Sequence, residues 1–112
     1  MKTFTHQAAQ GDVLVTRIDS LPAGALRTVP EKGRLVIAHS ETGHHHVMDA
    51  DKVEMYRLPE EIYECFLVVK EPTLLNHMRP FDTHEPILFE PGIYRVNRQR
   101  EYTPQGMRRV ED

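Results

Sequence analysis

A chain of 112 residues and 13.0 kDa has room for one hydrophobic core, and with 39% hydrophobic and 28% charged residues it has enough apolar surface to fold. Its formal net charge of −3 argues against a general nucleic-acid binder, and its single cysteine, Cys65, excludes an internal disulfide. No apolar run approaches the length of about 20 residues that spans a bilayer, and Met1 to Gln10 lacks the apolar stretch of a secretory signal, so a cytoplasmic protein with no membrane partner is expected.

Along the chain, short apolar stretches bounded by Pro, Gly, Asp or Asn recur without a sustained 3.6-residue period, which predicts strands. The expectation is one all-β domain over residues 1–112. Residues 1–10 are polar enough to fray, although Phe4 has the size to tuck against the core. Strands are expected over Asp12 to Ile18, Arg34 to His39, His44 to Met48, Val53 to Leu58, Ile62 to Val69, Thr73 to Asn76, Pro86 to Phe89 and Ile93 to Tyr102. Between them lie turn signals at Leu21-Pro22-Ala23-Gly24, Pro30-Glu31-Lys32-Gly33, Thr42-Gly43, Pro59, Pro72, Pro80 and Pro91-Gly92. Helix is expected only as one turn over Leu21 to Leu26 and a C-terminal turn over Pro104 to Val110, opened by Thr103 as N-cap. About eight short strands make a small antiparallel barrel or a sandwich, since closure or face-to-face packing buries one face of each sheet.

Cys65 lies within the apolar run Ile62 to Val69, where a thiol is expected to be buried and inert. Ser20 and Ser40 lack a nucleophile elbow, no phosphate loop is present, and Glu60-Glu61 after Pro59 reads as a solvated turn. Any catalysis would therefore run through a metal, and whether the chain is an enzyme stays open.

The histidines carry the one pointed chemical signal. His44 and His46 stand two apart and share a strand face, while His45 points the other way. Two further imidazoles would complete a three- or four-ligand site for a divalent transition metal such as zinc, nickel or iron, and His77 and His84, flanking Pro80, are the candidates. Glu41, Asp82 and Glu85 are available to fix an imidazole tautomer or to add a ligand. His6 and His45 read as solvated, and His39, in line with Leu35 and Ile37, as a hydrogen-bonded core histidine. The alternative is that His44 to His46 form a solvated turn.

The charge is uneven: residues 1–94 carry 9 basic and 14 acidic side chains, and residues 95–112 carry 5 arginines against 3 acids. Arg95, Arg98 and Arg100 within Ile93 to Tyr102 form either an ion-pair face matched by Glu54, Glu60, Glu61 or Glu64, or an interface for nucleic acid or an acidic protein. A metal-free interaction module is thus the competing function, and a homo-oligomer is an open option.

A His-x-His on a strand, a later histidine and Pro91-Gly92 leading into Ile93-Tyr94-Arg95-Val96-Asn97 resemble the metal-binding design of the cupin superfamily, a double-stranded β-helix barrel. That resemblance implies metal-dependent chemistry, but Ala50 and Asp51 stand where cupins place a glutamate, and Tyr94 and Arg95 where they place a histidine. Over nearly the whole chain, Gln10-Gly11-Asp12-Val13-Leu14, Thr42-Gly43-His44-His45-His46, His84-Glu85-Pro86-Ile87 and the Tyr94 to Tyr102 segment resemble small bacterial and phage-encoded proteins of no assigned activity. This implies that the segments around His44, His46 and His84 belong to one design.

Overall fold

The computed structural model describes residues 2–30, 32–38, 46–61, 64–77, 85–98, 100–103 and 106–109. Within them the chain is all-β, in twelve strands: β1 (Gln7–Gln10), β2 (Val13–Ile18), β3 (Leu26–Arg27), β4 (Arg34–Ala38), β5 (His46–Asp49), β6 (Val53–Arg57), β7 (Glu64–Val69), β8 (Thr73–His77), β9 (Ile87–Phe89), β10 (Gly92–Arg98), β11 (Arg100–Thr103) and β12 (Gly106–Arg109). A six-stranded sheet runs β1-β2-β10-β7-β6-β3, a four-stranded sheet runs β4-β5-β8-β9, and β11 pairs only with β12. Neighbouring strands are antiparallel, and the two larger sheets stay separate, so the architecture is a sandwich, with no closed barrel.

The core explains why these segments become strands. Along β2, β7 and β10 alternate side chains turn inward, and Val13, Val15, Cys65, Leu67, Tyr94 and Val96 are buried from the six-stranded side. Leu35, Ile37, Met48, Leu75, Ile87 and Phe89 meet them from the other sheet, and one continuous cluster results. Cys65 belongs to it: the thiol is 2% exposed, its Sγ lies 3.8 Å from the Ile37 carbonyl, and burial pushes its pKa up to about 12. The thiol is buried, as expected.

The outer face of the six-stranded sheet is covered by polar side chains laid over apolar ones. Glu54 accepts from Lys70 at 2.8 Å and from the Tyr56 hydroxyl at 3.0 Å and faces Arg27 at 3.5 Å; the Lys70 contact, then Tyr56, holds its carboxyl below the usual range. Arg95 pairs with Glu64 at 3.7 Å beside Phe66, its register partner on β7, and Phe66 is 5% exposed although it lies on this face. For Arg95 the ion-pair face is what the structure shows.

Four expectations need correction. Residues 7–10 form a strand that the expected elements did not include: β1 pairs with β2 from Gln7↔Thr16 to Gln10↔Val13, and upstream of it Lys2 bridges Ile87 while Phe4 packs edge-on against Phe89 at 5.2 Å. The polar look of the segment reflects a strand with one face on the core. Leu21 to Leu26 forms no helical turn, because Leu26 and Arg27 pair with Arg57 and Tyr56 on β6. Residues 106–109 are strand β12 of a hairpin, so the proposed C-terminal helix is absent there; Arg100↔Arg109 and Thr103↔Gly106 define its register. Finally, Ile93 to Tyr102 is not one strand. β10 ends at Arg98 and Arg100 begins β11, which belongs to a different sheet, so Arg98 follows Tyr94 and Val96 on β10 while Arg100 is on another strand.

Candidate functional site

At one end of the sandwich the two-residue turn Gly11-Asp12 joins β1 to β2, with Gly11 at φ +58°, the left-handed conformation that glycine adopts without cost. The turn brings Gln10 and Asp12 to the same end as His46, the first residue of β5. All three are polar and buried: His46 is 1% exposed, Gln10 2% and Asp12 8%. Burial of this kind requires partners. His46 Nδ1 lies 2.8 Å from Gln10 Oε1, and Gln10 Nε2 donates to the Leu75 carbonyl at 3.0 Å and the Glu85 carbonyl at 2.8 Å.

This network assigns the imidazole tautomer. Carbonyl oxygens only accept, so the amide nitrogen of Gln10 must face Leu75 and Glu85, and its oxygen must face His46. An oxygen in turn needs a donor, so Nδ1 of His46 carries a proton and, in the neutral ring, Nε2 carries the lone pair. Metal-binding imidazoles commonly have one ring nitrogen fixed in this way by donation to an acceptor. Nε2 faces Asp12 Oδ1 at 3.6 Å, longer than a hydrogen bond. Two atoms bound to one ion at about 2.1 Å each and at a tetrahedral angle stand roughly 3.4 Å apart, so the pair is spaced as two ligands of a common metal would be.

The backbone gathers the other expected positions. A β-bulge on β4 shifts the register between Val36↔Val47 and Ala38↔His46, and on its other side β5 pairs His46 directly with His77 of β8. Through its amide Gln10 also touches the residue two before His77 and the residue after His84. Glu85 itself is exposed, and it enters the network by its backbone carbonyl. His44, His84, Glu41 and Asp82 lie outside the described residues, as do His39 and His45. Among the described residues no group of three or more His, Cys, Asp or Glu is gathered in a metal-holding arrangement.

Gln10 and Asp12 were not singled out by metal-ligand reasoning. The Gln10-Gly11-Asp12 string was visible as a distinctive motif, but a lone glutamine and aspartate around a glycine read as a turn, and only the fold opposes them to His46. Of the arginines, Arg95 is engaged by Glu64, Arg98 is half-buried as the partner of Val13, and Arg100 lies on the separate hairpin.

A family profile described as a domain of unknown function, DUF8820, matches residues 9–99. The chain belongs to that family. The match begins just before Gln10 and Asp12 and spans β2 to β10, so the His46 cluster lies inside the shared domain, whereas the β11–β12 hairpin lies beyond it. No curated protein and no solved structure shows a significant match.

Proposed function

We propose that this chain binds one divalent transition metal at the Gly11-Asp12 end of the sandwich, through His46 with His44, His77 and His84, and that Asp12 is a further ligand. The observation that carries the reading is the approach of His46 Nε2 to the Asp12 carboxylate oxygen at 3.6 Å, with Gln10 holding the other ring nitrogen at 2.8 Å. The direct pairing of His46 with His77 supports it. Mixed imidazole and carboxylate donors suit zinc, nickel or iron(II). A strand-borne imidazole site inside a β sandwich is also what a cupin-like chemistry would use, and an open coordination position would let the metal activate water or oxygen.

The test is metal content of untagged protein purified without imidazole, followed by thermal melts. Imidazole binds metal only when neutral and ordinarily titrates near about pH 6.5, so acid releases the ion. Zinc, nickel or iron(II) is expected to raise the melting temperature by several degrees at about pH 7.5, the gain fading toward about pH 5.5. Each variant is compared with its own metal-free form, because removal of the buried His46 also costs stability. Joint replacement His44→Ala and His46→Ala should abolish the gain, Asp12→Asn should reduce it, and His45→Ala should preserve most of it. No gain in the wild type, or an equal gain in the double variant, defeats the reading.

A further inference from the structure

The two sides of the sandwich are finished differently. On one, the N-terminal segment lies across the gap: the Lys2 N–H donates to the Pro86 carbonyl, the Leu88 N–H donates to the Lys2 carbonyl, and Phe4 packs on Phe89 and Tyr94. On the other, β3 and β4 are the sheet edges, and no described strand pairs with the outer side of β4. The Ala50 N–H donates to the Gly33 carbonyl at 3.0 Å while Arg34 faces Asp49 in the register. This makes Arg34 and Asp49 a non-hydrogen-bonded pair, so Leu35 exchanges bonds with Met48. The N–H and C=O of Arg34 and the N–H of Val36 therefore point out to the open edge.

Beside that edge is a groove of about 130 Å³ whose walls include Val29, Leu35, Val36 and Met55 together with Arg34 and Arg57. Val29 is 83% exposed, the most exposed large apolar side chain among the described residues. Neither arginine has a described carboxylate partner. Asp49, opposite Arg34, accepts instead from the Asp51 N–H at 3.0 Å, and Arg57 donates to the backbone carbonyl of Glu64 at 3.3 Å. An edge with outward backbone groups, an apolar floor and two cations that no described carboxylate pairs asks for one kind of occupant.

The geometry points to an extended acidic peptide segment of a partner protein, which adds a strand to β4 and, with alternate side chains on opposite faces, sets carboxylates on the face of Arg34 and apolar side chains over Leu35 and Met55 in the groove, where Arg57 attracts the segment's charge. Main-chain bonds supply affinity and the arginines supply the choice of charge.

Fluorescence anisotropy of a labelled, end-blocked Val-Glu-Val-Glu-Val-Glu peptide against the full chain tests this, with the Lys-for-Glu peptide and an edge-blocking N-methylated acidic peptide as controls. The acidic peptide is expected to bind saturably, less at raised salt, and the two controls to fail. Arg34→Glu and Arg57→Glu should each weaken binding by about tenfold or more. Val36→Pro, which removes an outward N–H and leaves the β5 bonds in place, should weaken it comparably. If a variant misfolds, the N-methylated peptide still decides the matter on the wild type. Equal binding of the Lys or N-methylated peptide, or sedimentation showing β4 occupied by a second copy of the chain, would overturn the assignment.

Discussion

At the scale of single residues, the cost of each buried polar group shows which ones the fold depends on. Gln10 satisfies an imidazole N–H and two carbonyls at once. Gln10→Ala leaves all three without that partner, and urea unfolding should register a loss of about 1–3 kcal/mol, larger than cavity formation at a half-exposed site would give. Cys65 offers a pH prediction with a definite sign. Its folded pKa, about 12, is raised above the ordinary value of 9.0, so its contribution is fully present below about pH 9. As pH rises from about 9 toward about 12 the unfolded chain gives up the thiol proton first, and stability falls. Cys65→Ala should flatten that alkaline decline relative to the parent, and thiol-reactive dye should label the folded protein only when it opens.

Elements come next, and here turns matter more than strands. Gly11 at φ +58° shapes the hairpin that presents Asp12 to His46. Gly11→Ala forces a side chain into the left-handed region, and a loss of about 1–2 kcal/mol is expected by chemical denaturation. At the opposite end of the strands, a Cβ on Gly92 would stand 2.6 Å from Nη2 of Arg17, whose guanidinium donates to the Pro91 carbonyl and the Tyr94 hydroxyl and lies 5.4 Å from the Tyr94 ring centre. Gly92 also sits at φ +159°, where a side chain is strained whatever the space, so Gly92→Ala should cost about 1–3 kcal/mol, read as a drop in melting temperature, through that strain and the displacement of Arg17.

For the whole molecule, two antiparallel sheets around one core imply a far-ultraviolet circular dichroism spectrum dominated by strand. The distribution of charge bears on partners. Arg95 is matched by Glu64 and Arg100 lies on a separate hairpin, so the arginine segment is not one continuous cationic face. A gel-shift titration at low salt with single-stranded and duplex oligonucleotides should therefore show no binding; binding that weakens steeply with salt would return the arginine segment to the nucleic-acid interface it resembles.

The all-β class and the positions of most strands followed from the sequence because alternation and turn residues are local properties: Val13 to Ile18, Val53 to Arg57 and Thr73 to Asn76 need only their own pattern and the prolines and glycines around them. The burial of Cys65 was legible for the same reason. Where pairing partners decide, local pattern failed. Gln7 to Gln10 is a strand because β2 is beside it, Leu26-Arg27 because β6 is, and Gly106 to Arg109 because β11 is; none has an apolar alternation strong enough to announce itself. The histidine pattern named His46 and His77, which the fold places opposite one another in the register of β5 and β8. That Gln10 orients His46, and that Asp12 faces it, depends on two sheets meeting across residues 36 and 34 positions apart in the chain. Spacing along a chain carries no such information, because a contact between sheets is made by packing and not by periodicity.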